Sequence, residues 1–144
     1  MNWNDLHSEK SYNAWQAYRQ SKLCNVIFTR ELAKRLKNTA ITTYSLHPGV
    51  VRTELGRYFV DLHGKWYLAV SLLMYPIIWL IFKTPKQGAQ TTIYCAVDEE
   101  IKDNSGRYYS DCKEKPLLEH ARHDEDGERL WKISEETIKS KISF

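Results

Sequence analysis

Apolar residues recur at helical spacing through the first third of the chain. From about Ala14 to Leu36 they come every three or four positions, with a basic face opposite, which predicts a long helix. The next apolar segment, 40–46, is short and rich in β-branched and aromatic residues, which predicts a strand. The Pro48–Gly49 pair ends it abruptly. A helix, a strand and a loop in this order indicate an α/β fold, in which ligands bind beyond the carboxyl ends of parallel strands.

The second half of the chain predicts shorter elements. Residues 84–97 begin with a threonine cap, a proline in the first turn and a glutamine that closes a capping box, so they predict a second helix. Residues 107–111 predict a second short strand, and the sparse apolar stripe of 124–141 predicts a surface helix. Two strands are too few for a sheet covered on both faces. We therefore expect the chain to be part of a larger fold.

Residues 66–82 form an uncharged run bracketed by Lys65 and Lys83. The run is at the short limit for a transmembrane helix, and Pro76 interrupts it. Aromatic residues near its ends are typical of a membrane–water interface. A buried helix, an apolar lid over a substrate and a segment that dips into a membrane all remain open. We prefer a lid that also touches the bilayer.

Composition excludes several classes of function. The chain has 144 residues, enough for one domain with a core. Its formal net charge of +3 is small, and the basic residues are scattered among acidic ones, which argues against nucleic-acid binding. Three widely spaced cysteines argue against a disulfide framework and against a zinc site, and they favour a reducing compartment. We predict no metal site.

The candidate chemistry lies in the first predicted helix, at Tyr18 and Lys22. Residues four positions apart share one face of a helix. A phenol ordinarily releases its proton only near pH ~10, and a cation within a few ångströms favours the phenolate. The pair therefore suits acid–base catalysis. The spacing alone is common, and it recurs at Tyr109 and Lys113, but those residues lie in a segment that reads as strand and loop.

Three segments together resemble the short-chain dehydrogenase/reductase superfamily, and within it the retinol dehydrogenase/retinal reductase branch. They are residues 6–32 around Tyr18 and Lys22, residues 43–55 (TYSLHPGVVRTEL) and residues 83–91 (KTPKQGAQT). The resemblance implies the C-terminal half of a Rossmann-type, doubly wound parallel sheet, with residues 1–144 as a partial domain. The glycine-rich Gly-x-Gly-x-x-Gly motif of the cofactor half does not occur in the chain.

The resemblance also implies roles for individual residues. Tyr18 would be the general acid/base, and Lys22 would favour its ionised form and hydrogen-bond the nicotinamide ribose. The loop that packs on the nicotinamide, which in the family completes the cofactor site, matches four residues: Pro48, Gly49, Val51 and Thr53. The family's substrate-polarising serine lies about thirteen residues before the tyrosine, where this chain has Asp5. Neither Ser8 nor Ser11 is expected at a strand end, so we expect that serine to precede Met1.

The resemblance favours NADP as the cofactor, with NAD still open because the selecting residues are not in this chain. It implies an apolar, retinoid-like alcohol or aldehyde as substrate, contact with a membrane, and a homo-oligomer paired through the helix of Tyr18. It implies the cytosolic side of the endoplasmic reticulum membrane, or the cytoplasm if the apolar run is buried. We expect the isolated chain to be inactive. A steroid or xenobiotic carbonyl reductase and a non-catalytic, membrane-associated or dimerising protein remain alternatives.

Overall fold

A computed structural model describes residues 1–52 and 82–142. The helices are α1 (Ala14–Arg35), α2 (Pro85–Val97) and α3 (Asp124–Ile142), and the strands are β1 (Ser45–His47), β2 (Tyr108–Ser110) and β3 (Lys113–Glu114). Short 3₁₀ turns lie at Glu99–Ile101 and Glu119–Ala121. Thr53 and the predicted apolar run, apart from Phe82, lie outside the described residues. Within the described ranges, no helix is both long and apolar enough to cross a bilayer.

The three helices confirm the predictions made from apolar spacing and, for α2, from its capping residues. The Asn13 side chain accepts the backbone N–H of Gln16 at 3.1 Å, so asparagine caps the start of α1. At the start of α2, Thr84 and Gln87 form the predicted reciprocal capping box. The chain is therefore α/β, of a partial Rossmann-like kind, as predicted.

The strands form one small sheet in the order β1–β2–β3. The backbone N–H of Gly106 donates to Thr43, and that of Ser45 donates to Arg107, so the bonds advance in the same direction along β1 and β2. This is the pattern of a parallel pair. The β2–β3 connection is a tight hairpin, because its two central residues, Asp111 and Cys112, both have positive φ, of 56° and 54°.

The strand predicted at 40–46 is shorter in the structure and displaced toward its carboxyl end. The residues just before Ser45 make several hydrogen bonds that involve side chains. Thr43 donates its backbone N–H to the Ser105 hydroxyl at 3.1 Å and its own hydroxyl to the carbonyl of Thr29 at 3.1 Å. The Tyr44 hydroxyl donates to the carbonyl of Ile101 at 2.7 Å. Bonds that involve side chains thus accompany the single backbone bond from Gly106 to Thr43 over this stretch, and the regular strand begins only at Ser45.

The described residues divide into two compact units. The first contains residues 1–45, 99–108 and 114–142, and the second contains residues 46–52, 82–98 and 109–113. The first unit is built on α1 and α3. The second contains the loop after β1 and helix α2.

Helices α1 and α3 pack through a mixed apolar and charged contact. Ile27 and Leu130 are buried, and the rings of Phe28 and Trp131 stack at 5.3 Å between centroids. Glu31 is also buried, beside Gly127, where a methyl group would lie 3.2 Å from Oε2 and 3.3 Å from Cβ of Glu31. The glycine leaves room for the carboxylate between the two helices.

In the second unit, α2 packs against the loop that follows β1. A methyl group built on Gly88 would lie 2.5 Å from Cγ2 of Val51, so only glycine allows this approach. The rings of Tyr94 and Tyr109 meet at 5.9 Å between centroids, tilted by 59°. This packing fixes Val51 against the helix.

Candidate active site

Tyr18 and Lys22 lie next to each other on one face of α1, as their spacing predicts. The Lys22 ammonium nitrogen is 5.4 Å from the centroid of the Tyr18 ring, within the range of a cation–π contact. Both side chains are exposed, Tyr18 with 57% of its surface accessible. The hydroxyl of Ser21, between them, donates to the carbonyl of Tyr18 at 2.8 Å. The pair therefore presents an aromatic hydroxyl and a cation together to solvent.

Other aromatic residues extend this exposed surface toward the start of α1. Tyr12 is 75% exposed and Trp15 is 74% exposed. Trp15 lies three residues before Tyr18 on α1, and Tyr12 precedes the helix. Three exposed aromatic side chains, Tyr12, Trp15 and Tyr18, thus lie close together in the sequence at the start of α1.

The loop before α1 is anchored to the helix beside the pair. The Gln20 side chain donates to the carbonyl of Leu6 at 3.0 Å and accepts the N–H of Asn2 at 2.8 Å. Gln20 lies between Tyr18 and Lys22 in the sequence. Its two bonds attach the N-terminal loop to this part of α1.

Asp5 lies about thirteen residues before Tyr18, where the family resemblance implies a serine. In the structure its side chain stabilises the N-terminal loop. Its carboxylate accepts the backbone N–H groups of Glu9, Lys10 and Ser11, at 2.8 Å, 3.2 Å and 3.0 Å. Desolvation raises the pKa of Asp5 and these N–H groups lower it, with the result that the pKa lies below its ordinary value. The carboxylate is thus a turn-forming group.

Cys24, one turn after Gln20 on α1, is half-buried and its sulfur lies 3.9 Å from that of Met1. Burial raises the pKa of the Cys24 thiol, which disfavours the nucleophilic thiolate. The three cysteines are free thiols. This agrees with their interpretation as small packing residues.

The second part of the candidate site is the loop of Pro48, Gly49 and Val51. Gly49 has a φ of 85°, a conformation that favours glycine. The loop pairs with Lys83, whose N–H donates to the carbonyl of Val50 at 2.8 Å and whose carbonyl accepts the N–H of Arg52 at 2.9 Å. Val51 and Lys83 thus form a parallel β-bridge.

The structure brings the predicted site residues together in two groups. Tyr18 and Lys22 adjoin each other in the first unit, and Pro48, Gly49 and Val51 form one loop in the second. That both groups face a single nicotinamide ring stays a prediction, and Thr53 lies outside the described residues. The reading of the sequence missed Lys83, whose contacts with the loop join residues about thirty positions apart. No local spacing in the sequence signals such a contact.

No protein-family model matches the chain. Human retinol dehydrogenase 14 is 49% identical over 135 residues, which cover 94% of this chain and 39% of that protein. Human retinol dehydrogenase 12 is 46% identical over 140 residues, covering 94% of the chain and 40% of the relative. Human retinol dehydrogenase 13 is 43% identical over 131 residues, covering 91% and 38%. The chain is homologous to the retinol dehydrogenases, of the short-chain dehydrogenase/reductase superfamily.

Homology to the retinol dehydrogenases confirms the resemblance carried by the three sequence segments. The chain spans about two-fifths of the length of the curated relatives it matches. Identity near one half over nearly the whole chain identifies the branch, whereas the roles of individual residues stay predictions.

Proposed function

We propose that this chain is the part of a short-chain dehydrogenase/reductase that carries the proton-transfer pair and the nicotinamide loop. The enzyme would interconvert retinol and retinal, or a similar apolar alcohol and aldehyde, with NADP(H). The observation that carries the proposal is the Tyr18–Lys22 pair, a phenol and an ammonium side by side on an exposed helical face. The homology to retinol dehydrogenases supports the reaction class and the retinoid.

In this proposal Tyr18 moves the proton. Its hydroxyl gives a proton to the carbonyl oxygen of an aldehyde, or accepts the hydroxyl proton of an alcohol in the reverse direction. Lys22 holds its positive charge beside the ring and stabilises the phenolate that remains after the proton has left. The nicotinamide, when bound, supplies or accepts the hydride.

The residues of the chain suit a nicotinamide nucleotide. Lys22 offers three N–H donors to ribose hydroxyls, and its exposure leaves them accessible. In the second unit the backbone of Pro48, Gly49 and Val51 is fixed by Lys83, so a ring packed on that loop would meet a preformed surface. Thr53 follows this loop in the sequence, and the family resemblance assigns it to the nicotinamide carboxamide or the pyrophosphate.

The substrate and location belong to the same proposal. A retinoid dissolves in lipid, and the uncharged run 66–82 gives the chain a segment suited to touch a bilayer. We place the enzyme at the endoplasmic reticulum membrane, facing the cytosol. Pairing of two subunits through α1 is supported by the exposed Tyr12, Trp15 and Tyr18 at its start.

The substitution Tyr18→Phe tests the proposal in a full-length enzyme that carries this segment. Human retinol dehydrogenase 14 with its matching stretch replaced by this chain provides such an enzyme. Removing only the hydroxyl removes the proton donor, so we expect retinal reduction to fall about 10²- to 10⁴-fold. NADPH binding, measured by fluorescence titration of the same variant, is expected to stay within twofold of the unsubstituted enzyme.

Tyr12→Phe is the matched control, because Tyr12 is also exposed, at 75% against 57% for Tyr18, and lacks a lysine one turn further along. It should retain full activity. Undiminished turnover in Tyr18→Phe would remove the catalytic assignment.

We expect the 144-residue chain alone to be inactive, since it contains no glycine-rich phosphate-binding motif. Titration with NADPH should therefore give no saturable fluorescence change. The rival proposal is a non-catalytic protein that binds a membrane or a partner through its apolar run 66–82, or pairs with a second subunit through α1. Flotation with vesicles without any response to nucleotide would favour it. A steroid or xenobiotic carbonyl reductase shares the same residues, and substrate profiling separates it from a retinoid enzyme.

A further inference from the structure

We propose that Lys83 and Asp111 form an ionic latch that positions the Pro48–Val51 loop for the nicotinamide ring. This inference rests on the proposed function, which assigns that loop to the cofactor. Lys83 and Asp111 are positioning residues, because they act through the loop and not on the reacting atoms. The Lys83–Asp111 latch lies entirely within the second unit.

The backbone of Lys83 already holds both sides of Val51. Its N–H donates to Val50 at 2.8 Å, and its carbonyl accepts from Arg52 at 2.9 Å. The next residue, Thr84, caps α2, so Lys83 connects the loop directly to the start of a helix. Any movement of Lys83 is therefore transmitted to the loop.

The side chain of Lys83 then crosses the loop at Gly49. A methyl group built on Gly49 would lie 2.9 Å from both Cδ and Cε of Lys83. The missing side chain of Gly49, together with its φ of 85°, leaves the space that the lysine methylenes occupy. The lysine thus covers the glycine of the loop.

The ammonium of Lys83 ends on the carboxylate of Asp111, in the tight turn between β2 and β3. That turn is itself held in place. The N–H of Cys112 donates to the Thr91 hydroxyl on α2 at 3.3 Å, and the Ser110 hydroxyl donates to the other carboxylate oxygen of Asp111 at 3.2 Å. The latch therefore ties the loop after β1 to the turn after β2, and through Thr91 to α2.

Charge and exposure determine how strong this latch is. The Lys83 side chain is 30% exposed and that of Asp111 is 59% exposed. A pair so accessible to water and salt contributes little to overall stability. We expect the ion pair to act instead on the local order of the Pro48–Val51 loop, where hydrogen exchange can measure a few-fold change in how often the loop opens.

Hydrogen exchange of the 144-residue chain tests the latch directly. Lys83→Met keeps an unbranched apolar side chain of similar reach over Gly49 and removes the charge, and Asp111→Asn keeps a short side chain that tolerates positive φ. We expect both variants to raise the exchange rates of the Arg52 and Lys83 amides about threefold to fivefold, the size of a surface ion pair. Lys83→Arg, which keeps the charge, should restore slow exchange.

Arg107→Gln is the matched control. It removes a comparable surface pair, Arg107 with Glu114 at 3.2 Å, with side chains 59% and 45% exposed. This pair belongs to the first unit and the Pro48–Val51 loop to the second, so we expect the Arg52 and Lys83 amides to exchange at the unsubstituted rate. The latch would be overturned if these amides exchanged at the unsubstituted rate in Lys83→Met, or if Arg107→Gln accelerated them equally. This outcome does not depend on enzyme activity.

The positioning role is tested in the full-length enzyme that carries this segment. We expect Lys83→Met to raise KM for NADPH about threefold to fivefold and to leave kcat within twofold, because a looser loop weakens binding of the ring. An unchanged KM alongside faster exchange, with Tyr18→Phe inactive, would overturn positioning and leave the proposed function standing. Full activity of Tyr18→Phe would instead overturn the proposed function. The hydrogen-exchange result would then show by itself whether the Lys83–Asp111 pair holds the loop.

Discussion

The two ends of α1 differ sharply in what surrounds them. Near its start, Trp15 and Tyr18 are mostly exposed, and Lys22 contacts the Tyr18 ring. Near its end, Ile27 and Glu31 are almost fully buried against α3. One helix therefore presents the candidate proton-transfer pair at one end and packs against α3 at the other.

Because the two ends of α1 differ in burial, we expect substitutions at each end to have different effects. At the buried end, Arg35 donates to Glu31 at 2.8 Å and lies over the Trp131 ring at 4.3 Å. Substitutions there should act on folding. At the exposed end, substitutions should act on binding or turnover with little effect on stability, because few contacts are lost.

The largest expected effect is at the buried end, in Ile27→Ala. Ile27 is 1% exposed, so truncation leaves a cavity between elements that cannot fully collapse. We expect the free energy of unfolding to fall by about 2–4 kcal/mol, measured by urea denaturation followed by far-UV circular dichroism. Tyr18→Phe, at the exposed end of the same helix, is the control and should change it by less than about 0.5 kcal/mol. Equal effects would break the contrast between the two ends.

An intermediate effect is expected from Glu31→Gln. Glu31 is 4% exposed and pairs with Arg35 at 2.8 Å and Lys34 at 3.7 Å. The amide keeps the shape but removes the charge, so one charge-assisted bond is weakened while the half-exposed cations regain water. We expect a loss of about 1–2 kcal/mol in the same urea experiment. A gain in stability would mean that burial of the carboxylate is itself unfavourable.

The smallest effect concerns Asp124, at the start of α3. The Lys34 ammonium bonds its carboxylate at 2.8 Å and Arg30 bonds it at 3.0 Å, and they hold the pKa of Asp124 below its ordinary value. A lowered folded-state pKa contributes stability above the unfolded pKa, and this contribution is lost as the pH falls through the folded value.

The test is the stability of Asp124→Asn as a function of pH. The variant should be less stable than the unsubstituted chain by under about 1 kcal/mol near pH 7, since the carboxylate is largely exposed. The difference should shrink as the pH falls below about 4, where the carboxylate becomes protonated. A difference that stayed constant with pH would show that the ion pairs do not stabilise α3.

Helix positions were the most predictable part of the fold. The sequence prediction placed α1 at about Ala14 to Leu36, and in the structure it ends one residue earlier, at Arg35. The prediction is this close because caps and apolar spacing, which are local in the sequence, determine where a helix begins and ends. The strand predicted at 40–46 was too long. Thr43 and Tyr44 have strand-forming side chains, but their polar groups bond to Ser105, Thr29 and Ile101, and those partners are distant in sequence.

The candidate site was likewise predictable only where its residues are close in sequence. Helical spacing predicted that Tyr18 and Lys22 are neighbours, which the structure confirms. Their role and that of the loop at Pro48 come from the family resemblance and stay predictions. The Lys83–Asp111 latch was not predicted, because its members are 28 residues apart in different elements and no local spacing relates them. Contacts of this kind depend on the tertiary arrangement.

The glycine at position 88 restricts how this segment can diverge during evolution. Any larger residue there would collide with the methyl group of Val51, so a change at one position is acceptable only when the other shrinks in step. Positions 51 and 88 should therefore vary as a pair among descendants of the same ancestor. An alignment of such sequences would record the packing of α2 on the loop as a correlation between two columns.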